Sequence, residues 1–179
     1  MLAQIGVKFD VMEIDVDETL LNGESPSAYV ERLARAKAEA GWRRMQQKNL
    51  PGAPVLGVDT TVAVDGRILG KPADRREAAE MLAALSGRLH EVLTAIALKF
   101  GSRLESALSV SEVRFKPLSR EEIREYVATG ECDDKAGAYA IQGRAARFVA
   151  GLRGSFSGVM GLPLCETAQL LQWMEAPAA

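Results

Sequence analysis

The side chains best placed to do chemistry gather between Leu56 and Pro72. Asp59 stands in the middle of a β-rich run, where β-propensity disfavours aspartate and desolvation makes a charge costly. The alternation puts Val55, Gly57, Thr61 and Ala63 on its face, mostly small residues that leave room beside the carboxylate. Such an aspartate either caps a bulge or bonds a neighbouring loop, or it is held on a rigid strand in a cleft, ready to hold a metal or take a proton from water. Lys71 follows beyond the turn Asp65-Gly66, a strong two-residue hairpin signal because both residues tolerate positive φ. In that register Val64 pairs with Arg67 and Lys71 falls opposite Thr60, beside Asp59 but nominally on the other face. A bulge, or the end of the strand near Gly70, would turn it, and alternation alone leaves both arrangements open. Pro72 closes the strand.

A second cation lies further up the chain. Ser25 followed by Pro26 predicts an N-cap and first helical turn, for a helix running to about Gln47. Glu31, Arg35, Glu39 and Arg43 are four apart and alternate in sign, so they form a solvated face. Val30, Leu33, Ala34 and Ala40 form the opposing stripe. Lys37 falls within about 40° of Val30 and Leu33, at 100° per residue. It either snorkels past the edge or points its ammonium into a cleft.

The remaining elements follow from local signals. Met1 to Gly6 has the pattern of a helix end stopped by glycine, and Phe9 to Asp15 that of a short strand, followed by the acidic loop Asp15-Val16-Asp17-Glu18. Asp74 to Leu85 is expected to be a helix with a capping-type start and Gly87 after its end. Glu91 to Phe100 and Leu104 to Phe115 alternate as antiparallel strands. Ser119-x-x-Glu122 is a capping box opening a helix through Thr129, stopped by Gly130. Asp133 to Gly143 is expected as a polar loop leading into a strand. Glycines 151, 154, 158 and 161 fit no phosphate-loop pattern and serve turns or close backbone approach. Glu166 to Met174 is a last short helix, with a frayed tail behind it. Strands and helices are mixed, which gives an α/β class.

Composition narrows the chemistry. The 179 residues carry one histidine, two cysteines and a formal charge of −2. His90, in a strand, is expected to be structural; a single histidine excludes multi-histidine metal sites and leaves acid–base work to carboxylates. Cys132 and Cys165 lack metal-ligand spacing and fit reduced thiols in a cytosol. A pI near 5.6 gives no electrostatic footprint for nucleic-acid polymers or anionic membranes. No apolar run approaches the roughly 18 residues of a membrane span.

Four segments together resemble the Maf family of nucleoside triphosphate pyrophosphatases, historically linked to inhibition of septum formation in bacteria. They are Gly57-Val58-Asp59-Thr60; Gly70-Lys71-Pro72; Asp134-Lys135-Ala136-Gly137-Ala138-Tyr139 with Ile141-Gln142-Gly143; and Gly161-Leu162-Pro163-Leu164 with Glu166-Thr167. The likeness runs from Leu2 to Thr167 in the family's order and approximate spacing, as one domain. It implies an inosine-triphosphatase-like α/β fold: a long, mixed, twisted sheet flanked by helices, with a nucleotide cleft between two lobes. It also implies a divalent metal (Mg²⁺ or Mn²⁺), a cytoplasmic location and often a homodimer.

The Lys-Ala-Gly-Ala-Tyr and Ile-Gln-Gly segments are similar to the branch acting on dTTP and UTP. On that resemblance Asp59 takes the general-base position, Thr60 and Gln142 the positions tied to base specificity, and Glu18, Lys37 and Lys71 the polar cleft positions. Glu18 and Asp59 are hard oxygen donors suited to the metal. The lysines suit phosphates as point charges, and a glutamine amide complements the N3–H and O4 edge shared by thymine and uracil. Two other readings stand beside this one: a non-catalytic nucleotide-binding or septum-regulating protein, and a house-cleaning pyrophosphatase for modified pyrimidine nucleotides.

The resemblance further implies a strand and a Ser-x-Ser-Pro-Arg-Arg loop ahead of Leu2 to Gly6. The expectation is that the natural product carries roughly 10 to 20 residues before Met1, since a missing sheet strand leaves unpaired backbone groups.

Overall fold

The computed structural model describes residues 1–175; the tail expected to fray lies outside the described residues. The first long element, α1 (Pro26–Gln47), starts where the sequence puts it. Ser25 Oγ accepts the Ala28 N–H at 3.2 Å, and Pro26 occupies the first turn. Its buried stripe is Val30, Leu33, Ala34, Ala38, Gly41 and Met45. Ala40, expected in that stripe, is only half-buried, and Arg35 and Arg43 on the far side are exposed.

Five strands follow: β1 (Val55–Val64), β2 (Arg67–Leu69), β3 (Leu89–Phe100), β4 (Arg103–Phe115) and β5 (Val149–Arg153). Their order across the sheet is β2-β1-β3-β4-β5, and every pairing is antiparallel. The β1–β2 turn is the predicted two-residue hairpin, with Asp65 at φ 50° and Gly66 at φ 74° and Val64 paired to Arg67.

Helices cover both faces. On one, Val30, Ala34 and Ala38 of α1 pack on Ala63, Leu93, Ala95 and Ala97. On the other lies the larger core, where α2 (Arg75–Leu85) and α3 (Arg120–Ala128) bury Leu82, Leu85 and Tyr126 against Val62, Val92, Val113 and Phe115. Asp74 caps α2, and the Ser119–Glu122 capping box opens α3 as the sequence predicts. A short helix, α4 (Phe156–Val159), and α5 (Leu164–Glu175) are the last elements among the described residues. The α/β class stands.

Three local expectations change. Phe9 to Asp15 forms no strand: Phe9 is 52% and Val11 83% exposed, so nothing holds a period-2 face there. Leu2–Ile5 is a single 3₁₀ turn rather than a longer helix end, stopped by Gly6 at φ 75°. The Asp133 to Gly143 segment is not a solvated loop. Its aspartates face solvent, but Gly137 to Ile141 are buried, and the strand begins only at Val149. Apolar residues at the segment's centre fill the space between β1 and α3.

Candidate active site

Asp59 is placed on the α1 face by strand alternation, and α1 comes unusually close because residue 57 is glycine. A Cβ there would collide with the Ala34 carbonyl oxygen and stand 2.5 Å from Ala38 N. That close approach brings Lys37, one turn beyond Leu33, over Asp59. Lys37 Nζ donates to Asp59 Oδ1 at 2.6 Å and lies 2.7 Å from Glu18 Oε1. The ammonium is therefore aimed into the site, not snorkelled past it.

Glu18 is held there by contacts to α1. The Tyr29 hydroxyl donates to the Glu18 carbonyl at 3.0 Å, and Arg32 Nη2 donates to the Thr19 carbonyl at 3.1 Å. Arg32 also forms a two-point pair with the Glu24 carboxylate. No periodicity marks Glu18; its place depends on these loop-to-helix bonds, which only the folded chain shows.

Lys71 has left the ladder, which stops at the Val62–Leu69 pair. Its charge nonetheless acts on both carboxylates, adding to the downward pull on Glu18 and opposing the upward push of burial on Asp59. The strand end near Gly70 resolves the ambiguity left by alternation, and Gly70 O is tied down by the Gly137 N–H at 3.0 Å.

The electrostatics follow from two carboxylates sharing one close cation. Asp59, 9% exposed, is pushed above the ordinary aspartate range by burial, against the opposing pull of Lys37. Glu18, half in solvent, is lowered, chiefly by its bond to Lys37. Burial pulls Lys37 down, but its bonds to Asp59 and Glu18 outweigh this and leave it raised. A buried carboxylate with a raised pKa beside a fixed cation is the arrangement expected of a general base.

The other two sequence candidates sit elsewhere. Thr60, adjacent to Asp59, faces the opposite side of the sheet, where its hydroxyl lies 2.9 Å from Thr94 Oγ1. Gln142 is exposed in the loop that follows the Gly137 contact with Val62. That loop is clamped from both sides. The Ala140 N–H donates to Tyr126 Oη at 3.2 Å, and Glu131 accepts from Arg144 N–H at 3.0 Å and Ala145 N–H at 3.4 Å. Sequence reasoning passed over Thr94, Tyr126 and Glu131. Thr94 carried the same signal as Asp59, a polar residue in an apolar strand, whereas nothing local marks Glu131.

Among the described residues no group of three or more His, Cys, Asp or Glu side chains converges as a metal cluster. The Glu18 and Asp59 carboxylates share one cation, Lys37, which fits between their oxygens. Two hard oxygen donors around a cation suit an ion such as Mg²⁺, which keeps much of its water. His90 is buried as expected, with Nε2 2.9 Å from Tyr139 Oη, and it takes no part in the charged cluster.

Carboxylates and lysines gathered beside β1, with a clamped Ile-Gln-Gly segment on the sheet's other face, fit a Maf-like protein. The chain belongs to the Maf family, whose profile, described as Maf-like protein, matches residues 1–174. It is 58% identical to a dTTP/UTP pyrophosphatase of Aromatoleum aromaticum, over 96% of this chain and 88% of that one. It is 54% and 52% identical to proteins of the same name from Nitrosospira multiformis and Nitrosomonas europaea, over 96% of this chain and 87% of each relative. No helix among the described residues is long and apolar enough to cross a membrane.

Proposed function

We propose that this protein hydrolyses dTTP and UTP to the monophosphate and pyrophosphate. The observation that carries the reading is the Lys37 ammonium bridging Asp59 and Glu18, with the Lys71 charge acting on the same carboxylates. The names of the relatives support the substrate class.

In this reading Asp59 accepts the proton of a water that attacks the α-phosphorus. The bond from that phosphorus to the bridging oxygen breaks, and the pyrophosphate leaves with the electron pair. Lys37 and Lys71 hold the departing charge. Glu18 and Asp59 would hold a divalent cation, which supplies neutralisation of the phosphate oxygens. Thr60 and Gln142 read the base from the other face of β1. The reading includes one domain over residues 1–179, a homodimer and a cytoplasmic location.

The test is a nucleotide panel with Mg²⁺ or Mn²⁺ and identification of the products. Pyrophosphate from dTTP and UTP is expected; orthophosphate, or binding without turnover at any metal concentration, overturns the proposal.

A further inference from the structure

Thr60 and Thr94 are direct partners in the β1–β3 ladder, and their hydroxyls meet at 2.9 Å. Thr94 is fully buried, and its Oγ1 donates to the Gly158 carbonyl at 2.8 Å. That carbonyl is fixed where α4 starts, since the Gly158 N–H donates to Ser155 Oγ at 2.9 Å. A carbonyl oxygen only accepts, and a hydroxyl has one proton. Thr94's proton is therefore committed to Gly158, so the contact between the two threonines must carry Thr60's proton. Threonine hydroxyls ordinarily rotate to suit a partner. This one cannot without abandoning Thr94, so Thr60 offers the cleft lone pairs alone.

We infer that Thr94 is a positioning residue for specificity: by taking Thr60's proton it makes Thr60 a pure acceptor, selecting thymine and uracil over cytosine. The inference rests on the proposed placement of the base at Thr60. Thymine and uracil present an N3–H donor, which the Thr60 lone pairs can share with the Gln142 amide oxygen. Cytosine presents a bare N3, and two acceptors facing each other leave both unpaired, the kind of mismatch that sites built on hydrogen bonds reject strongly.

The experiment compares kcat/KM for dTTP and dCTP, by pyrophosphate release, in the unaltered protein, Thr94→Val and Thr94→Ser. Valine keeps the shape but removes the acceptor, freeing Thr60's proton for cytosine N3. The dTTP/dCTP ratio is expected to fall about 10-fold or more, with dCTP turnover rising in absolute terms. Serine, which can donate and accept as threonine does, restores the ratio. A gain on one substrate is something structural damage does not produce. Should the valine variant fail to fold, Thr94→Ala, which also lacks the acceptor, carries the same expectation. An unchanged ratio in a folded Thr94→Val or Thr94→Ala protein, or an equal loss on both substrates, overturns the role of Thr94 while leaving the pyrophosphatase reading intact. Absence of pyrophosphate from dTTP with the unaltered protein overturns that reading, and this inference with it.

Discussion

Asp59 and Thr60 are consecutive in β1 yet face opposite sides of the sheet, Asp59 beneath Lys37 of α1 and Thr60 against Thr94 of β3. On the side away from β3, β1 is paired only from Val62 to Val64, so among the described residues Val55 to Thr61 present an open edge. In the proposed reading, a nucleotide lying across that edge would meet the charged cluster on one face and the hydroxyl on the other. The division of labour makes Asp59→Asn informative. It keeps the volume but removes the proposed base and a metal-binding charge, and kcat should fall roughly 10²- to 10⁴-fold or more. Nucleotide affinity measured without added metal should change far less, because Thr60 and Gln142 are untouched. Steady-state kinetics with a parallel binding titration would decide, and near-native kcat would sink Asp59 as the base.

Gly57→Ala should damage both stability and turnover, although no catalytic group is altered. The added methyl meets backbone of α1 at Ala34 and Ala38, which cannot swing aside as a side-chain tip would. Overpacking of this kind typically costs ~1–3 kcal/mol, and lifting α1 carries Lys37 away from Asp59. Denaturant unfolding and kcat should therefore fall together. Loss of stability with unchanged kcat would show that the Lys37–Asp59 contact tolerates displacement.

Much of this was legible before any coordinates. α1 has a strong local signal at its start, Ser25-Pro26, and Asp65-Gly66 and the capping box are chemically specific, so these boundaries emerged closely. Asp59 and Lys37 stood out because each is a charge placed where a pattern demands something apolar. Glu18 could be found only by resemblance, since a loop residue has no period to violate and is set by the distant Tyr29 and Arg32. The Phe9 to Asp15 expectation failed for the converse reason. Alternation describes a face, but a strand also needs a neighbour to pair with, and the sequence alone does not supply one.

His90 gives a pH signature of folding separate from catalysis. Burial lowers its pKa from 6.5 to about 4, and its ring is 2% exposed, edge-on to Phe115 and Tyr139. The unfolded chain thus binds this proton more readily than the folded one. Stability from His90 is complete above its unfolded pKa of 6.5 and declines as pH falls toward about 4. The loss is on the order of 3 kcal/mol for a shift of this size. Chemical denaturation across that range should show the slope, and His90→Gln should flatten it. An equal slope in the variant would assign the pH dependence to other groups.

The loop carrying Gln142 should owe its shape to Glu131. The 3₁₀ helix Arg144–Phe148 begins at Gly143, which has no side chain to cap it, and the Glu131 carboxylate caps it from outside. A methyl at residue 143 would overlap that carboxylate, so glycine is what allows the approach. Tyr126 completes the clamp, its hydroxyl bonded to Glu131 and accepting the Ala140 N–H. Glu131→Ala should therefore raise KM for dTTP and UTP by about 10- to 100-fold through misplacement of Gln142, with a smaller change in kcat because Asp59 and Lys37 lie on the other face. Glu131→Gln, which still has one acceptor oxygen, should recover part of the loss. In Gln142→Ala the Glu131→Ala change should add little, since both remove the same contact. Fully additive effects on KM would show that Glu131 does not act through Gln142.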